Sequence, residues 1–175
     1  MAVEVAAAVD ADLAELAGVA ARTFPLACPP STTPENVAAF IDENLSEARF
    51  REYLDAGREV LVAREDGRML GYAMLIRGAP SDEDIARAVP LRPAVELSKM
   101  YVLADSHGAG VSAALMSAAL ARAAELDGKC VWLGVNQNNQ RAQRFYTKHG
   151  FGITGTKTFR VGADYEDDYV MVRPL

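Results

Sequence analysis

The sequence has few of the residues that bind transition metals or form disulfide bridges. Its 175 residues include 2 histidines and 2 cysteines. Cys28 and Cys130 lie far apart and match no C-x-x-C spacing, which favours reduced structural thiols in a cytosolic protein. A nucleophilic role for either thiol is the alternative. Two histidines are too few for a histidine-based metal cluster, so we expect no metal site.

Basic residues are outnumbered, and long apolar runs are missing. The chain has 18 lysines and arginines against 24 acidic residues, and its formal net charge is -6. This composition lacks the broad basic surface that nucleic-acid binding needs. The first residues include Glu4, Asp10 and Asp12 but no basic leader, unlike a signal peptide. No apolar run reaches the length of a membrane span. We therefore predict a cytoplasmic protein without nucleic-acid or membrane partners.

Hydrophobic residues are plentiful, at 50% of the chain, which is enough for one buried core. We predict a single domain over residues 1–175. Asp66-Gly67 predicts a hairpin turn between strands at 59–64 and 69–77. The other predicted elements are a strand at 3–9, a helix at 10–22, a proline-rich loop at 24–34, a helix capped by Thr33, a third helix capped by Ser46, a connection at 78–93 with one helical turn, a strand from 95, a helix ended by Asp127-Gly128, a strand at 130–135, a helix at 139–149, and a final hairpin at 151–160 and 168–172.

The most informative stretch is the strand, loop and helix at residues 95–127. Apolar and polar residues alternate through the strand, and a loop with Gly108 and Gly110 opens directly into an alanine-rich helix. Glycines let the backbone approach an anion, and the free N–H groups of the first helical turn point at it. The stretch therefore predicts a phosphate site, with a plain tight turn as the equally weighted alternative.

A second informative stretch is the helix at 139–149. Asn139, Ala142 and Tyr146 are spaced i, i+3 and i+7 and share one face, with Asn139 and Tyr146 about 10 Å apart along the axis. The amide of Asn139 and the phenol of Tyr146 thus lie on the same face of the helix, two turns apart along its axis. The structural alternative is that Asn139 only caps the helix and Tyr146 packs at the edge of the core.

Taken together, the Gly-x-Gly loop, the buried strand and the pattern N-x-x-A-x-x-F-Y-x-x-x-G-F at 139–151 resemble the GNAT superfamily of acyl-CoA-dependent N-acetyltransferases. The resemblance implies a mixed α/β fold with a central, mostly antiparallel sheet of six to seven strands, splayed in the middle, and helices on both faces. It also implies acetyl-CoA as the donor. The phrases ELSKMYV and WLGVNQNNQRAQRFYTKHGF look most like the bacterial branch that includes polyamine acetyltransferases.

The resemblance assigns roles to residues of this sequence. His107 stands where glutamine or arginine is usual, and Ser112 stands where glycine or alanine is usual, so the help of a side chain at position 107 is in question. Asn139 would hydrogen-bond the pantetheine arm, and Tyr146 would act as the acid toward the leaving thiolate. The backbone contacts would come from His107, Gly108, Ala109, Gly110, Val111 and Ser112 to the pyrophosphate, and from Met100, Tyr101 and Val102 to the pantetheine arm.

Direct transfer needs a neutral amine, whereas a primary amine is mostly protonated at pH 7. Glu96, on the strand beside the expected thioester, is the first candidate for the general base. The alternative is a structural carboxylate bonded to a backbone amide. The Val102 amide is a candidate for oxyanion stabilisation.

The expected acceptor is a small amine, with a polyamine first and a peptide N-terminus or a lysine second. A second copy of the chain, in a homodimer, is a further expected partner. The acidic residues near the last turn would be a solvated turn or would attract a polycation. These acidic residues are Asp164, Glu166, Asp167 and Asp168.

An acyl-CoA-binding sensor without turnover is the alternative from a different functional class.

Overall fold

The computed structural model describes residues 2–108 and 110–175 and contains one seven-stranded sheet in the order β1-β2-β3-β4-β5-β7-β6. Every pair of neighbouring strands is antiparallel except β4 and β5, which are parallel. The mixed, mostly antiparallel sheet is therefore confirmed. The strands are β1 (Glu4–Ala7), β2 (Glu59–Glu65), β3 (Arg68–Arg77), β4 (Ala94–Val102), β5 (Cys130–Asn136), β6 (Gly152–Val161) and β7 (Asp164–Pro174).

The parallel pair β4 and β5 opens soon after it begins. Only Ala94, Val95 and Glu96 of β4 are in register with β5, while β5 continues beside β7 as far as Asn136. Beyond Glu96 the two strands diverge, and their facing backbone groups are left for another partner. The expected splay in the middle of the sheet is thus present.

Helices cover both faces of the sheet, as predicted. Leu115 and Met116 of α5 are fully buried in the cluster on one face, whereas Leu16 of α1 and Phe50 of α3 are fully buried in the cluster on the other. None of the helices within the described residues is both long and apolar enough to cross a membrane. The helices are α1 (Leu13–Ala27), α2 (Pro34–Asn44), α3 (Glu47–Asp55), α4 (Glu83–Ala88), α5 (Val111–Glu125) and α6 (Gln140–Lys148).

Local sequence signals fix several of these boundaries. The Thr33 hydroxyl accepts a hydrogen bond from the Asn36 amide at 3.1 Å, and the Ser46 hydroxyl accepts one from the Arg49 amide at 3.1 Å. Both predicted helix caps are confirmed. Asp66-Gly67 forms the predicted hairpin turn between β2 and β3.

The proline-rich loop expected at 24–34 begins later than predicted, because α1 continues through Pro25 to Ala27. Proline removes one helical donor and crowds the carbonyl four residues earlier, but near a C-terminus few helical bonds remain to be lost. Phe24 also holds this end in place, because its ring stacks on Phe40 with the centroids 4.2 Å apart. Tertiary packing overrides the local signal here.

The end of α5 also differs in detail. Asp127, with φ of 62°, takes the left-handed position that the sequence assigned to Gly128. The Gly128 amide then donates to the Ala123 carbonyl at 3.0 Å, closing the last turn. Gly128 is needed for space instead, because a Cβ there would lie 3.0 Å from the Ala123 carbonyl oxygen and 3.0 Å from a Val95 methyl.

The last hairpin is longer than expected, since β7 begins at Asp164 and the turn consists of Gly162 and Ala163. The acidic segment is therefore a strand, in which side chains alternate between faces. Asp168, predicted to be in or near a solvated turn, is only 6% exposed.

A bulge at Ser98 divides β4 into two halves. Leu97 pairs with Leu75 of β3, but Lys99 pairs with Met74, so Ser98 is the extra residue. Leu75 faces α5, whereas Met74 faces the side of α1 and α3. Cross-strand partners share a face. The strict alternation expected through residues 95–101 is thus wrong, because Lys99 leaves the face of Leu97.

The α3 helix depends on one buried side chain. Phe50 is 0% exposed and meets Tyr53 and Tyr72 edge to face, with ring centroids 5.7 Å away in both cases. We expect Phe50→Ala to lower the free energy of unfolding by about 3–5 kcal/mol, measured by urea denaturation. Tyr165→Ala, at an exposed position on β7, is the control and should change it by less than about 0.5 kcal/mol. Equal losses in the two variants would contradict this account of the packing.

Candidate active site

Two cavities meet where β4 and β5 separate. The first, of about 200 Å³, extends from the opening toward α1, α2 and β6. The second, of about 170 Å³, extends toward the loop before α5 and the start of α6. Both cavities are lined by Tyr146 and Asn139 of α6 and by Met100 and Tyr101 of β4. The sequence-predicted residues of the two informative stretches therefore come together at one junction.

The second cavity ends at the loop that the sequence predicts to bind phosphate. Gly108 and Gly110 have φ values of 83° and 82°, a left-handed conformation that favours glycine. Gly110 caps α5, so Val111 and Ser112 begin the helix with free amides, and Ser112 lines the cavity. Ala109 lies outside the described residues. The loop and helix start have the geometry of an anion site.

His107 and Arg141 form a connected pair beside this loop. His107 Nε2 lies 2.9 Å from the Val102 carbonyl oxygen, and Arg141 Nη1 lies 2.8 Å from His107 Nδ1. A carbonyl can only accept and a guanidinium can only donate, so Nε2 carries the hydrogen and the imidazole is neutral. His107 thus contributes no charge and instead positions Arg141, which lines the second cavity. Sequence reasoning missed Arg141.

The end of β4 presents backbone groups to the opening. The Leu103 amide donates to the Leu70 carbonyl of β3 at 2.9 Å. Backbone polar groups alternate sides along a strand, so those of Val102 and Met100 face away from β3. The contact between the Val102 carbonyl and His107 agrees with this direction. The Val102 amide and both backbone groups of Met100 are therefore available to a ligand in the opening, whereas the Val102 carbonyl already accepts a hydrogen bond from His107.

Asn139 caps α6, which is the structural role that the sequence offered as its alternative. Its Oδ1 accepts a hydrogen bond from the Ala142 amide at 3.1 Å. The cap uses only the oxygen, which leaves the Nδ2 hydrogens for a second partner. Asn139, Ala142 and Tyr146 all line both cavities, so the predicted common face is present.

Tyr146 lies at the junction on the α5 side of the sheet, packed against Phe151 with ring centroids 5.8 Å apart. Burial raises the pKa of its phenol to about 12. The hydroxyl therefore keeps its proton throughout the physiological range, as a hydrogen-bond donor must.

Glu96 lines the first cavity on the opposite side of the opening. Burial raises the pKa of its carboxyl, and the positive charges of Lys157, Lys99 and Arg58 partly offset this. Burial and these nearby charges account for the shift, and the role of Glu96 as the general base stays a prediction. A half-buried carboxyl with a raised pKa, in a cavity, has the character of a general base.

Asp168, which the sequence assigned to an acidic cluster that is a solvated turn or attracts a polycation, lines the first cavity as a second carboxyl. Asp168 Oδ2 lies 3.7 Å from Lys157 Nζ, its cross-strand neighbour on β6. Burial raises the pKa of Asp168 to about 6, against the opposing effect of Lys157. The pair rests on Gly134 of β5, where a Cβ would lie 3.1 Å from Lys157 Nζ and 3.2 Å from Asp168 Oδ2.

Aromatic rings line the first cavity toward α1, α2 and β6. Phe24 and Phe40 stack at its α1 and α2 wall, and Phe159 closes it from β6 with its ring 5.3 Å from that of Phe40. Cys28 also lines it, and burial raises the pKa of its thiol to about 11. Such a thiol is protonated at neutral pH, which argues against the nucleophilic alternative.

Comparison with known proteins identifies the family. The model of the Acetyltransferase (GNAT) family matches residues 22–151 of the chain. The chain belongs to the GNAT family. This N-acetyltransferase is 60% identical to an uncharacterized N-acetyltransferase of Mycobacterium tuberculosis, over 95% of the chain and 98% of the relative. It is 25% identical to an uncharacterized N-acetyltransferase of Lactobacillus delbrueckii subsp. lactis, over 94% of the chain and 92% of the relative.

Solved structures show that the GNAT fold extends over the whole chain. The PaiA N-acetyltransferase of Thermoplasma acidophilum, solved in complex with coenzyme A, has a TM-score of 0.79 at 18% identity and covers 100% of both chains. YncA from Salmonella typhimurium, solved with acetyl-CoA, has a TM-score of 0.68 at 23% identity and covers 100% of this chain and 95% of its own.

Proposed function

We propose that this GNAT enzyme transfers the acetyl group of acetyl-CoA to a primary amine of a small acceptor, by direct attack in a ternary complex. The observation that carries the proposal is the junction of the two cavities. One cavity ends at His107 and Ser112, beside the glycine loop predicted to bind phosphate, the other is lined by Glu96, and Tyr146 lies where they meet. A donor and an acceptor can therefore enter from different sides and react at Tyr146.

Acetyl-CoA fits the second cavity by its chemistry. The amides of the loop and the first turn of α5 suit the pyrophosphate, and Arg141 supplies the positive charge that a neutral His107 does not. The free backbone groups of Met100 suit the amides of the pantetheine arm, the Asn139 Nδ2 group can donate to it, and the free Val102 amide is left for the thioester carbonyl. Each of these assignments is a proposal that rests on the geometry of the site.

In the proposed reaction, the amine nitrogen attacks the thioester carbonyl carbon and the carbon–sulfur bond breaks. Glu96 takes one amine proton, directly or through a water, and the Val102 amide donates to the carbonyl oxygen as charge develops on it. Tyr146 donates a hydrogen bond to the departing sulfur. A thiol, with a pKa of about 8.5, is a stronger acid than this phenol. Full transfer from Tyr146 is thus uphill, so solvent completes the protonation of the sulfur.

An assay with a panel of amines tests this proposal and identifies the class of acceptor. We expect purified protein to release CoA from acetyl-CoA in the presence of at least one small primary amine, followed with a thiol reagent. The panel contains spermidine, spermine, free amino acids, simple alkylamines and a peptide with a free N-terminus. A tertiary amine of similar size is the control, since it has no proton to lose after attack. Binding of acetyl-CoA without turnover of any primary amine would contradict the proposal.

The sequence resemblance ranks polyamines first in this panel, with a peptide N-terminus or a lysine second. The carboxyl groups of Asp168 and Glu166 in the first cavity favour a cationic acceptor. The ammonium groups of Lys157 and Lys99 in the same cavity oppose one that carries several positive charges. No turnover of spermidine or spermine would remove the first choice.

A further inference from the structure

Two cations, Arg58 and Lys99, share the ring of Tyr53, and Lys99 also lines the first cavity. The Arg58 guanidinium carbon lies 4.7 Å from the centroid of the Tyr53 ring, and Lys99 Nζ lies 5.7 Å from it. Of the carboxylates in residues 2–108 and 110–175, none comes within 4.0 Å of either cation. Nearby Arg49, in contrast, pairs with Glu52 at 2.7 Å. The ring offers both cations a weak attraction but no negative charge.

Lys99 contributes to the wall of the acceptor cavity and is largely withdrawn from water. It lines that cavity, and burial lowers the pKa of its ammonium to about 8, with Arg58 adding repulsion and Glu96 opposing both effects. A buried cation without an ion-pair partner is unfavourable, and a bound anion would relieve that cost. The site therefore favours a negatively charged group beside Tyr53.

The bulge at Ser98 is what brings this cation to the acceptor. Glu96 pairs with Ile76 of β3 and Lys99 pairs with Met74, and both partners lie on the side of α1 and α3. In a regular strand, with Ser98 paired in the ladder, positions 96 and 99 are three residues apart and would face opposite sides of the sheet. The proposed base and an unpaired cation thus line the same cavity, a few residues apart on one strand.

The charges of the cavity also limit how many ammonium groups an acceptor brings. Asp168 is paired with Lys157. Glu166, the other β7 carboxyl in this cavity, accepts a hydrogen bond from the Thr32 hydroxyl at 3.4 Å. Glu96 is surrounded by the fields of Lys157, Lys99 and Arg58. One amine can approach Glu96, but a second positive charge placed toward Tyr53 would meet two cations. A negative charge in that position would meet attraction.

We propose that the acceptor carries an anionic group, such as a carboxylate, together with its primary amine, and that Lys99 and Arg58 bind that group. The acceptor is then a free amino acid or a related amino acid-like molecule instead of a polycation. This inference rests on the proposed function and narrows it. The anion is held near Tyr53 while the amine points to Glu96 and Tyr146.

The test compares amines that differ only in a carboxylate. The pairs are lysine and cadaverine, 6-aminohexanoate and pentylamine, and 4-aminobutanoate and propylamine, each assayed for CoA release. We expect the carboxylate-bearing member of at least one pair to have a kcat/KM about tenfold or more above its partner, the effect of one charge-assisted hydrogen bond. The ε-amine of lysine and the amine of 6-aminohexanoate stand equally far from the carboxylate, and that of 4-aminobutanoate is two methylene groups closer, so the pairs compare two separations.

Variants assign the preference to the two cations. Lys99→Gln and Arg58→Gln should each remove most of it by raising KM for the carboxylate-bearing amine, with KM for its partner unchanged. Lys99→Arg should retain part of it. Arg51→Gln, at a half-exposed arginine of α3 that pairs with Asp10, is the matched control and should leave both values unchanged.

Each other outcome counts against the inference. Equal or better turnover of the amines without a carboxylate, or of spermidine, overturns it and leaves the proposed acetyl transfer intact. The same is true if Lys99→Gln reduces the turnover of both members of a pair equally, because that marks a structural role. Turnover of no primary amine at all contradicts the proposed function and the inference together.

Discussion

Tyr146→Phe should lower kcat about 100-fold while the dissociation constant for acetyl-CoA stays within about twofold of wild type. The substitution removes one hydroxyl and keeps the ring that packs against Phe151. If that hydroxyl stabilises the departing thiolate, its loss removes a hydrogen bond to a charged group, worth about 1.5–3 kcal/mol in the transition state. Steady-state CoA release measures kcat, and calorimetric titration measures cofactor binding.

Two further measurements make this result specific. Tyr165→Phe changes an exposed phenol on β7 and should alter neither quantity. A donor thioester with a more acidic thiol should suffer less from Tyr146→Phe, because a better leaving group needs less stabilisation. Equal losses with both thioesters would show that Tyr146 positions the donor and does not act on the sulfur.

Glu96→Gln should lower kcat/KM about 100-fold at neutral pH, since general-base catalysis typically contributes 10²–10⁴-fold. The carboxyl accepts a proton only when ionised, and burial raises its pKa above the usual range. Activity of the wild type should therefore rise with pH through that raised pKa. The variant should lack this rise and keep only the dependence that comes from deprotonation of the free amine. Initial rates from pH 5 to 9 measure both profiles.

The free energy of unfolding of Glu96→Gln shows whether a loss of activity comes from the missing base or from a destabilised fold. Because the pKa of Glu96 is raised in the folded protein, ionisation costs stability, and this cost grows as the pH rises from the unfolded pKa through the folded pKa. Glu96→Gln should thus be at least as stable as wild type at pH 7. Glu83→Gln, in the first turn of α4, is a control for activity. A destabilised Glu96→Gln protein with normal activity per folded molecule would contradict the assignment.

The sequence predicts the elements of this fold well where local chemistry decides them. Thr33, Ser46 and Asp66-Gly67 act through hydrogen bonds and backbone conformations of their immediate neighbours, and all are found as expected. Pro25 fails as a helix stop because Phe24 is held by packing against a distant residue. Propensity acts locally, but tertiary packing can outweigh it.

The site residues, like the elements of the fold, can be predicted from the sequence only where a short local pattern marks them. The glycine loop and the helix with Asn139 and Tyr146 carry their function in a short pattern, so both were found from the sequence. The Lys157–Asp168 pair and the contact between His107 and Arg141 join residues that are 11 and 34 positions apart, and no local pattern marks them. The charge content of the acceptor cavity depends on pairings across strands and on one bulge, which a single sequence does not specify.

The bulge at Ser98 shifts the side-chain alternation of β4 by one residue. Before it, odd-numbered side chains such as Leu97 support the α5 layer; after it, odd-numbered side chains such as Lys99 and Tyr101 belong to the opposite layer. One strand can then help to build the core under α5 in its first half and supply polar groups to a cavity in its second. A regular strand that kept Ser98 in the ladder would instead turn the Lys99 ammonium into the α5 core, where burial without a partner would oppose folding.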